Sequence, residues 1–157
     1  MIKTNAMRLL ESRGIHFKTQ DYEVDENDLS GEHVAKQLGI PTEQVFKTLV
    51  LQGENQGYFV CCIPSDFEVD LKKAARAVND KKADMIHVKD LQRITGYVRG
   101  GCSPVGMKKD LPTFIDETAL LFDEIFVSAG VRGTMVIIAP EDLINYVNAQ
   151  MYDLVKS

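Results

Sequence analysis

Two glycine-rich stretches and one lysine hold the residue types from which a reaction site is built. The first stretch is Arg99-Gly100-Gly101-Cys102-Ser103-Pro104-Val105-Gly106, and the second is Ser128-Ala129-Gly130-Val131-Arg132-Gly133. Each sits where a short apolar run meets a turn. Glycine lets the backbone reach positive φ and lets a ligand approach the main chain closely. Exposed N–H groups in such a loop favour a carbonyl oxygen, a phosphate or a developing oxyanion. Ordinary turns have the same composition, so the loops alone name no reaction. Lys47 lies between Phe46 and Thr48 at the start of an apolar run, where a lysine usually faces solvent. Turned into a pocket, its ammonium about 4 Å from an oxyanion contributes roughly 4 kcal/mol at an effective dielectric of 20.

The other reactive side chains point to less. Cys102 sits in a glycine loop near Arg99, a setting that can lower a thiol pKa, but a packing thiol is the expectation. Ser103 and Ser128 have no triad partner visible in the sequence. His16, His33 and His87 are scattered, and no Cys/His spacing matches a zinc site. Cys61 and Cys62 are adjacent in an apolar run, so they point to opposite faces of a strand and make poor disulfide partners. There is no P-loop, dinucleotide fingerprint or nucleophile elbow.

Those residues need a scaffold, and 157 residues with 45% hydrophobic and 26% charged side chains suffice for one domain, residues 1–157. No stretch approaches the roughly 20 apolar residues that cross a bilayer, and the N-terminus turns polar too soon for a signal peptide. A cytoplasmic protein without membrane contact is the expectation. The net charge of −5 argues against coating nucleic acid non-specifically, because such binding needs many Lys and Arg contacts to phosphate. The charge is uneven: residues 20–32 are acidic, whereas residues 72–82 are basic. A solvated helix face and a local phosphate-facing patch both fit the basic stretch.

In chain order, Thr4 or Asn5 caps a first helix that Gly14 stops. Ile15 to Tyr22 alternates as a half-buried strand. Ser30 caps a second helix closed by Gly39. Phe46–Leu51 and Tyr58–Ile63 form a hairpin across Gly53 to Gly57. Asp70 caps a third helix, Ala83–Val88 is a weak strand, and Lys89–Thr95 is a short helix ended by Gly96. Short strands at Thr113–Asp116, Glu124–Val127 and Met135–Ile138 precede a final helix carrying Leu143, Ile144, Val147, Met151 and Leu154. The pattern predicts an α+β class: a mixed, mostly antiparallel sheet or partly closed barrel of about six or seven strands with surrounding helices.

Four segments together carry a resemblance. They are Phe46-Lys47-Thr48-Leu49, Gly100 to Gly106, Lys108-Lys109-x-Leu111-Pro112-Thr113 and Val127-Ser128-Ala129-Gly130-x-Arg132-Gly133. Their order and spacing resemble the YbaK/EbsC family of free-standing aminoacyl-tRNA deacylases, similar in fold to the editing domain of bacterial prolyl-tRNA synthetases. The resemblance spans nearly the whole chain. It implies trans-editing hydrolysis of mischarged Cys-tRNA(Pro), with the tRNA 3′ aminoacyl end and prolyl-tRNA synthetase as partners and with neither cofactor nor metal. It implies Lys47 as the catalytic residue and Tyr22 at the same site. Gly100, Gly101, Ser103, Pro104 and Gly106 would contact substrate on one side, and Ser128, Gly130, Arg132 and Gly133 on the other. It also implies attack by the substrate's own thiol, so that no protein nucleophile is needed. Alternatives are a deacylase for another small amino acid such as alanine, or a non-catalytic module that binds tRNA or the synthetase. Some relatives carry an aspartate where this chain has Met135; Asp21 and Asp28 are the loop acids that could replace it.

Overall fold

A computed structural model describes residues 3–157. Helix α1 (Asn5–Ser12) starts at Thr4, whose hydroxyl accepts the Met7 amide at 3.2 Å and donates to Ala129 C=O at 2.7 Å. One side chain thus caps the helix and ties it to the second glycine loop. Strand β1 (Lys18–Asp21) is shorter than the alternating pattern, because pairing with a partner strand begins only at Lys18. The preceding Ile15 and Phe17 pack on the core instead.

Helix α2 (Gly31–Leu38) is capped by Ser30 and closed by Gly39 at φ +69°. A 3-10 turn (Thr42–Gln44) leads into the hairpin of β2 (Phe46–Gly53) and β3 (Gly57–Pro64), with Gly53 opposite Gly57. Helix α3 (Leu71–Ala77) begins at Asp70, which accepts the Lys72 and Lys73 amides. Then come β4 (Ala83–Met85), α4 (Val88–Thr95), closed by Gly96 at φ +85°, and β5 (Thr113–Asp116). A second 3-10 turn (Glu117–Leu121) precedes β6 (Ile125–Ser128), β7 (Thr134–Ile138), α5 (Pro140–Val147) and β8 (Gln150–Tyr152).

The end of the chain departs from the sequence expectation. The final helix stops at Val147 because Asn148 takes a left-handed conformation at φ +54°. Met151 therefore lies in β8, which pairs in parallel with β5, and Leu154 is buried in the core beyond it. The apolar spacing that reads as a continued helix face here covers a strand edge.

Among the described residues the strands form two sheets, ordered β1-β7-β6 and β4-β2-β3-β5-β8. Only β3 with β5 and β5 with β8 run parallel, so the α+β, mostly antiparallel reading agrees with the fold. Period-2 alternation gives β2 and β3 two buried faces. Phe46, Val50, Val60 and Cys62 join a core with α1, α4, β6 and α5. Leu51, Phe59, Cys61 and Ile63 join a second core under α3. The adjacent cysteines thus point into different cores, and both are free thiols. Val34 and Ala35 of α2 pack on Val45, Phe126 and Met135 in a third cluster. No helix among the described residues is long and apolar enough to cross a membrane.

The sheets approach each other at β2 without merging. A parallel bridge joins Val45 to Phe126 of β6, and β4 pairs with β2 only from Leu51 to Gly53. Between them, Lys47 to Leu49 have no strand on that side among the described residues.

Candidate functional site

A cavity of about 590 Å³ opens over this gap. Its floor is the β2 segment Phe46 to Val50. Tyr22 and residues 27–32 form one wall, Met85, Ile86, Val88 and Leu91 another, and Arg99, Gly100, Cys102, Ser128 and Met135 a third. The strand ends, the α2 N-terminus and both glycine loops converge there because the sheet leaves its edge open.

Lys47 is half-buried on the cavity, and its Nζ donates to Ser65 C=O at 3.3 Å. Burial lowers its pKa from the ordinary 10.5, while Glu32, Glu68 and Asp66 partly offset that by favouring the cation. The side chain is thus a poorly hydrated ammonium with a single backbone acceptor, able to donate to an incoming oxygen.

The two glycine loops divide into ligand-facing and packing positions. Gly100 lines the cavity at φ +84°, in a turn closed by the Gly101 amide on Val98 C=O at 2.9 Å. Among the described residues its own N–H donates to no protein acceptor. Ser128 lines the cavity as well and accepts the Gly130 amide at 3.1 Å.

Several residues expected at the site are elsewhere. Gly101 is buried against the second loop: a Cβ there would lie 3.1 Å from the Arg132 nitrogen and the Val131 carbonyl carbon. Gly106 and Gly130 are packed on Tyr97, whose hydroxyl bonds to Val105 C=O. Ser103 is buried with its hydroxyl on the Val105 amide, beside buried Pro104. Gly133 accepts the Tyr22 amide at 2.9 Å and so positions that tyrosine from outside the cavity. Arg132 donates Nε to Arg99 C=O at 2.8 Å, clamping one loop to the other. None of these seven residues lines the cavity. Gly106, Gly130 and Gly133 have positive φ and Gly101 packs directly on the other loop, so these glycines serve loop geometry and loop-on-loop contact, which composition does not distinguish from ligand contact.

Cys102 does line the cavity, but burial pushes its thiol up to about 12. The nearby Arg99 does not produce the lowered pKa that its sequence position allows, so at neutral pH this group is a protonated thiol and a poor nucleophile. Cys62 is likewise pushed up to about 12 by burial.

Met135 is buried at the cavity wall. Of the two loop acids, Asp28 lines the cavity, whereas Asp21 accepts from Thr134 on β7 and does not. Asp28 accepts the Ser30 hydroxyl at 2.6 Å and the Ser30 amide at 3.2 Å, and the hydroxyl contact foremost holds its carboxyl below the usual range. Glu32 and the Met85-Ile86 pair are cavity residues that the sequence did not single out, and Asp28 was named there only as one of two alternative acids. The Asp28-x-Ser30 turn before a helix was the available signal for the acid. Lys72, Arg76, Lys81, Lys82, Lys108 and Lys109 are exposed and lie off the cavity, and Lys73 is tied to Asp153 at 3.0 Å.

The chain is similar to known proteins over most of its length. The sequence profile of the aminoacyl-tRNA editing domain matches residues 26–146. Over 152 residues the chain is 46% identical to EbsC of Enterococcus faecalis, named as a Cys-tRNA(Pro)/Cys-tRNA(Cys) deacylase, covering 97% of this chain and 93% of that protein. An 82-residue stretch is 33% identical to proline–tRNA ligase of Fervidobacterium nodosum, covering 52% of this chain and 14% of the ligase. A crystal structure described as a trans-editing enzyme for prolyl-tRNA synthetase superposes with a TM-score of 0.83 at 26% identity, covering 98% of this chain and 99% of the other.

Proposed function

The chain belongs to the YbaK/EbsC family of aminoacyl-tRNA editing domains, and from that premise we propose that it is a trans-editing deacylase that hydrolyses mischarged Cys-tRNA(Pro). The observation that carries this reading is the half-buried Lys47 on the floor of a 590 Å³ cavity that Gly100 and Ser128 also line. Prolyl-tRNA synthetase accepts cysteine because a small steric difference discriminates weakly, so the error is removed after charging.

In the proposed reaction the substrate's own thiol attacks its aminoacyl carbonyl. A carbon–sulfur bond forms, and the carbonyl oxygen becomes an oxyanion facing the Gly100 amide and the Lys47 ammonium. The intermediate expels the ribose oxygen, which takes up the proton that left the thiol. The products are free tRNA and a cyclic thioester, which water opens to cysteine. The buried Cys102 thiol is in keeping with this assignment, because the cysteine that lines the cavity is held protonated by its burial. The cavity's task is to hold thiol and carbonyl in near-attack geometry. Tyr22 and Ser128 line the site as orienting groups. A domain of net charge −5 has little general affinity for tRNA, which fits delivery of the substrate by prolyl-tRNA synthetase, with exposed Lys108 and Lys109 adding phosphate contacts.

The test compares hydrolysis of Cys-tRNA(Pro) and Ala-tRNA(Pro) by the wild-type protein and by Lys47→Ala. Cysteinyl ester is cleaved preferentially, and the substitution lowers kcat by about 10²–10³. Cleavage of alanyl ester alone would rule out the thiol mechanism. Background rates for both esters with the wild-type protein would point to a binding module.

A further inference from the structure

The floor of the cavity is a strand edge, and at Thr48 no strand among the described residues takes up its outward main-chain groups. Five consecutive residues, Phe46 to Val50, line the cavity. Alternate side chains of a strand point to opposite faces, so a single face presents only every second residue. A run of five therefore means that the strand meets the cavity edge-on.

The directions of the main-chain groups follow from the neighbouring pairs. Val50 C=O accepts the Ile86 amide, so it points toward the β4 side. Opposite it, Val60 donates its amide to Pro112 C=O, away from β2. Val50 and Val60 are therefore a non-hydrogen-bonded pair, and so is Thr48 with Cys62 two residues along. Thr48 consequently turns both its N–H and its C=O away from β3, to the side where β4 has ended and the Val45–Phe126 bridge has stopped. Among the described residues no strand pairs with it there.

We propose that the Thr48 main chain binds the aminoacyl group as a one-residue strand addition, its C=O accepting from the substrate's α-ammonium and its N–H donating to the ester carbonyl. In an antiparallel ladder, two facing residues exchange a pair of N–H···O=C bonds. An aminoacyl ester has an N–H donor and a carbonyl acceptor on either side of one Cα, which is the pattern of a single strand residue. The Thr48 edge is its complement, as in recognition of extended peptides by sheet edges. The same contact reads the α-amino acid common to all aminoacyl-tRNAs and leaves side-chain selection to the cavity walls. It also places the ester carbonyl beside Lys47, the neighbouring residue on the strand. This inference rests on the deacylase reading and adds to it where the amino acid binds.

The experiment compares Thr48→Pro with Thr48→Val. Proline removes the N–H and is tolerated where an edge N–H has no ladder partner, whereas valine keeps the main chain and removes only the hydroxyl. For Thr48→Pro, kcat/KM on Cys-tRNA(Pro) falls about ten- to a hundredfold below that of Thr48→Val, at a similar Tm. Equal activity of the two variants would overturn the proposal. In case Thr48→Pro fails to fold, amide hydrogen exchange at Thr48 is measured in the wild-type protein, with and without saturating 3′-cysteinylamino-3′-deoxyadenosine, whose amide replaces the ester. Exchange slows at least about tenfold if the edge is occupied; unchanged exchange at saturation refutes the contact. If the wild-type protein hydrolyses no aminoacyl-tRNA, it is the deacylase reading that fails, and the exchange measurement still decides the edge.

Discussion

In the proposed reaction Lys47 acts by charge, so that reaction ties the pH range of the site to the protonation of this side chain. Burial lowers its pKa below 10.5, and the rate supported by the ammonium is lost as pH rises through that lowered value. After subtraction of hydroxide-driven background, the wild-type pH–rate profile falls on an alkaline limb starting below 10.5, and Lys47→Ala lacks that limb. The stability effect has the opposite sense. The folded state holds this proton less tightly than the unfolded chain, so the cost of burying the cation is present below the lowered pKa. That cost is relieved as pH climbs toward 10.5. Cys102 is the contrasting residue: its thiol, pushed up to about 12, takes no part in the proposed chemistry. Cys102→Ser keeps deacylation in single-turnover assays, and native Cys102 reacts with iodoacetamide at neutral pH far more slowly than the unfolded chain.

At the scale of elements, the two glycine loops act as one body. Gly101 lies against the backbone at Val131 and Arg132, and Arg132 reaches back to Arg99 C=O. Gly101→Ala places a Cβ 3.1 Å from main-chain atoms that cannot rotate away. The loops must separate, at a cost of about 1–3 kcal/mol, read by urea unfolding. Because Gly100 adjoins this contact, kcat falls together with stability. Gly130→Ala meets the Tyr97 ring at 3.0 Å and also places a side chain at φ +102°, so it destabilises at least as much. Gly14, with positive φ and open space around its Cβ position, is the control: only backbone strain of about 1–2 kcal/mol applies there.

Over the whole molecule, the last residues finish the five-stranded sheet. Asp116 is buried in β5; one carboxylate oxygen accepts the Leu154 amide at 2.9 Å and the other accepts the Thr118 amide and hydroxyl. Leu154 is fully buried in the core beneath α3, and Val155 bridges to Val69. Leu154→Ala costs about 2–5 kcal/mol. Asp116→Ala leaves the Leu154 amide without its acceptor, at about 1–3 kcal/mol. Both are read by denaturant midpoint, and neither residue lines the cavity.

The sequence by itself determined the elements whose signals are local. Ser30, Asp70, Gly39 and Gly96 name helix ends because a cap needs only its own turn, and Gly53 and Gly57 name the hairpin for the same reason. Lys47, Tyr22, Gly100 and Ser128 were named as candidates through a motif pattern, and all four line one cavity. Only the tertiary structure decided which glycines face that cavity, because Gly100 and Gly101 differ in neighbours 30 residues away and not in local chemistry. It likewise decided that Met151 and Leu154 extend a sheet and not a helix, and that Asp28 reaches the site. Above all it decided where the sheet stays open. A free edge at Thr48 is set by where β4 ends and where β6 touches Val45, and pairing between distant strands leaves no mark on the residues of the strand left unpaired.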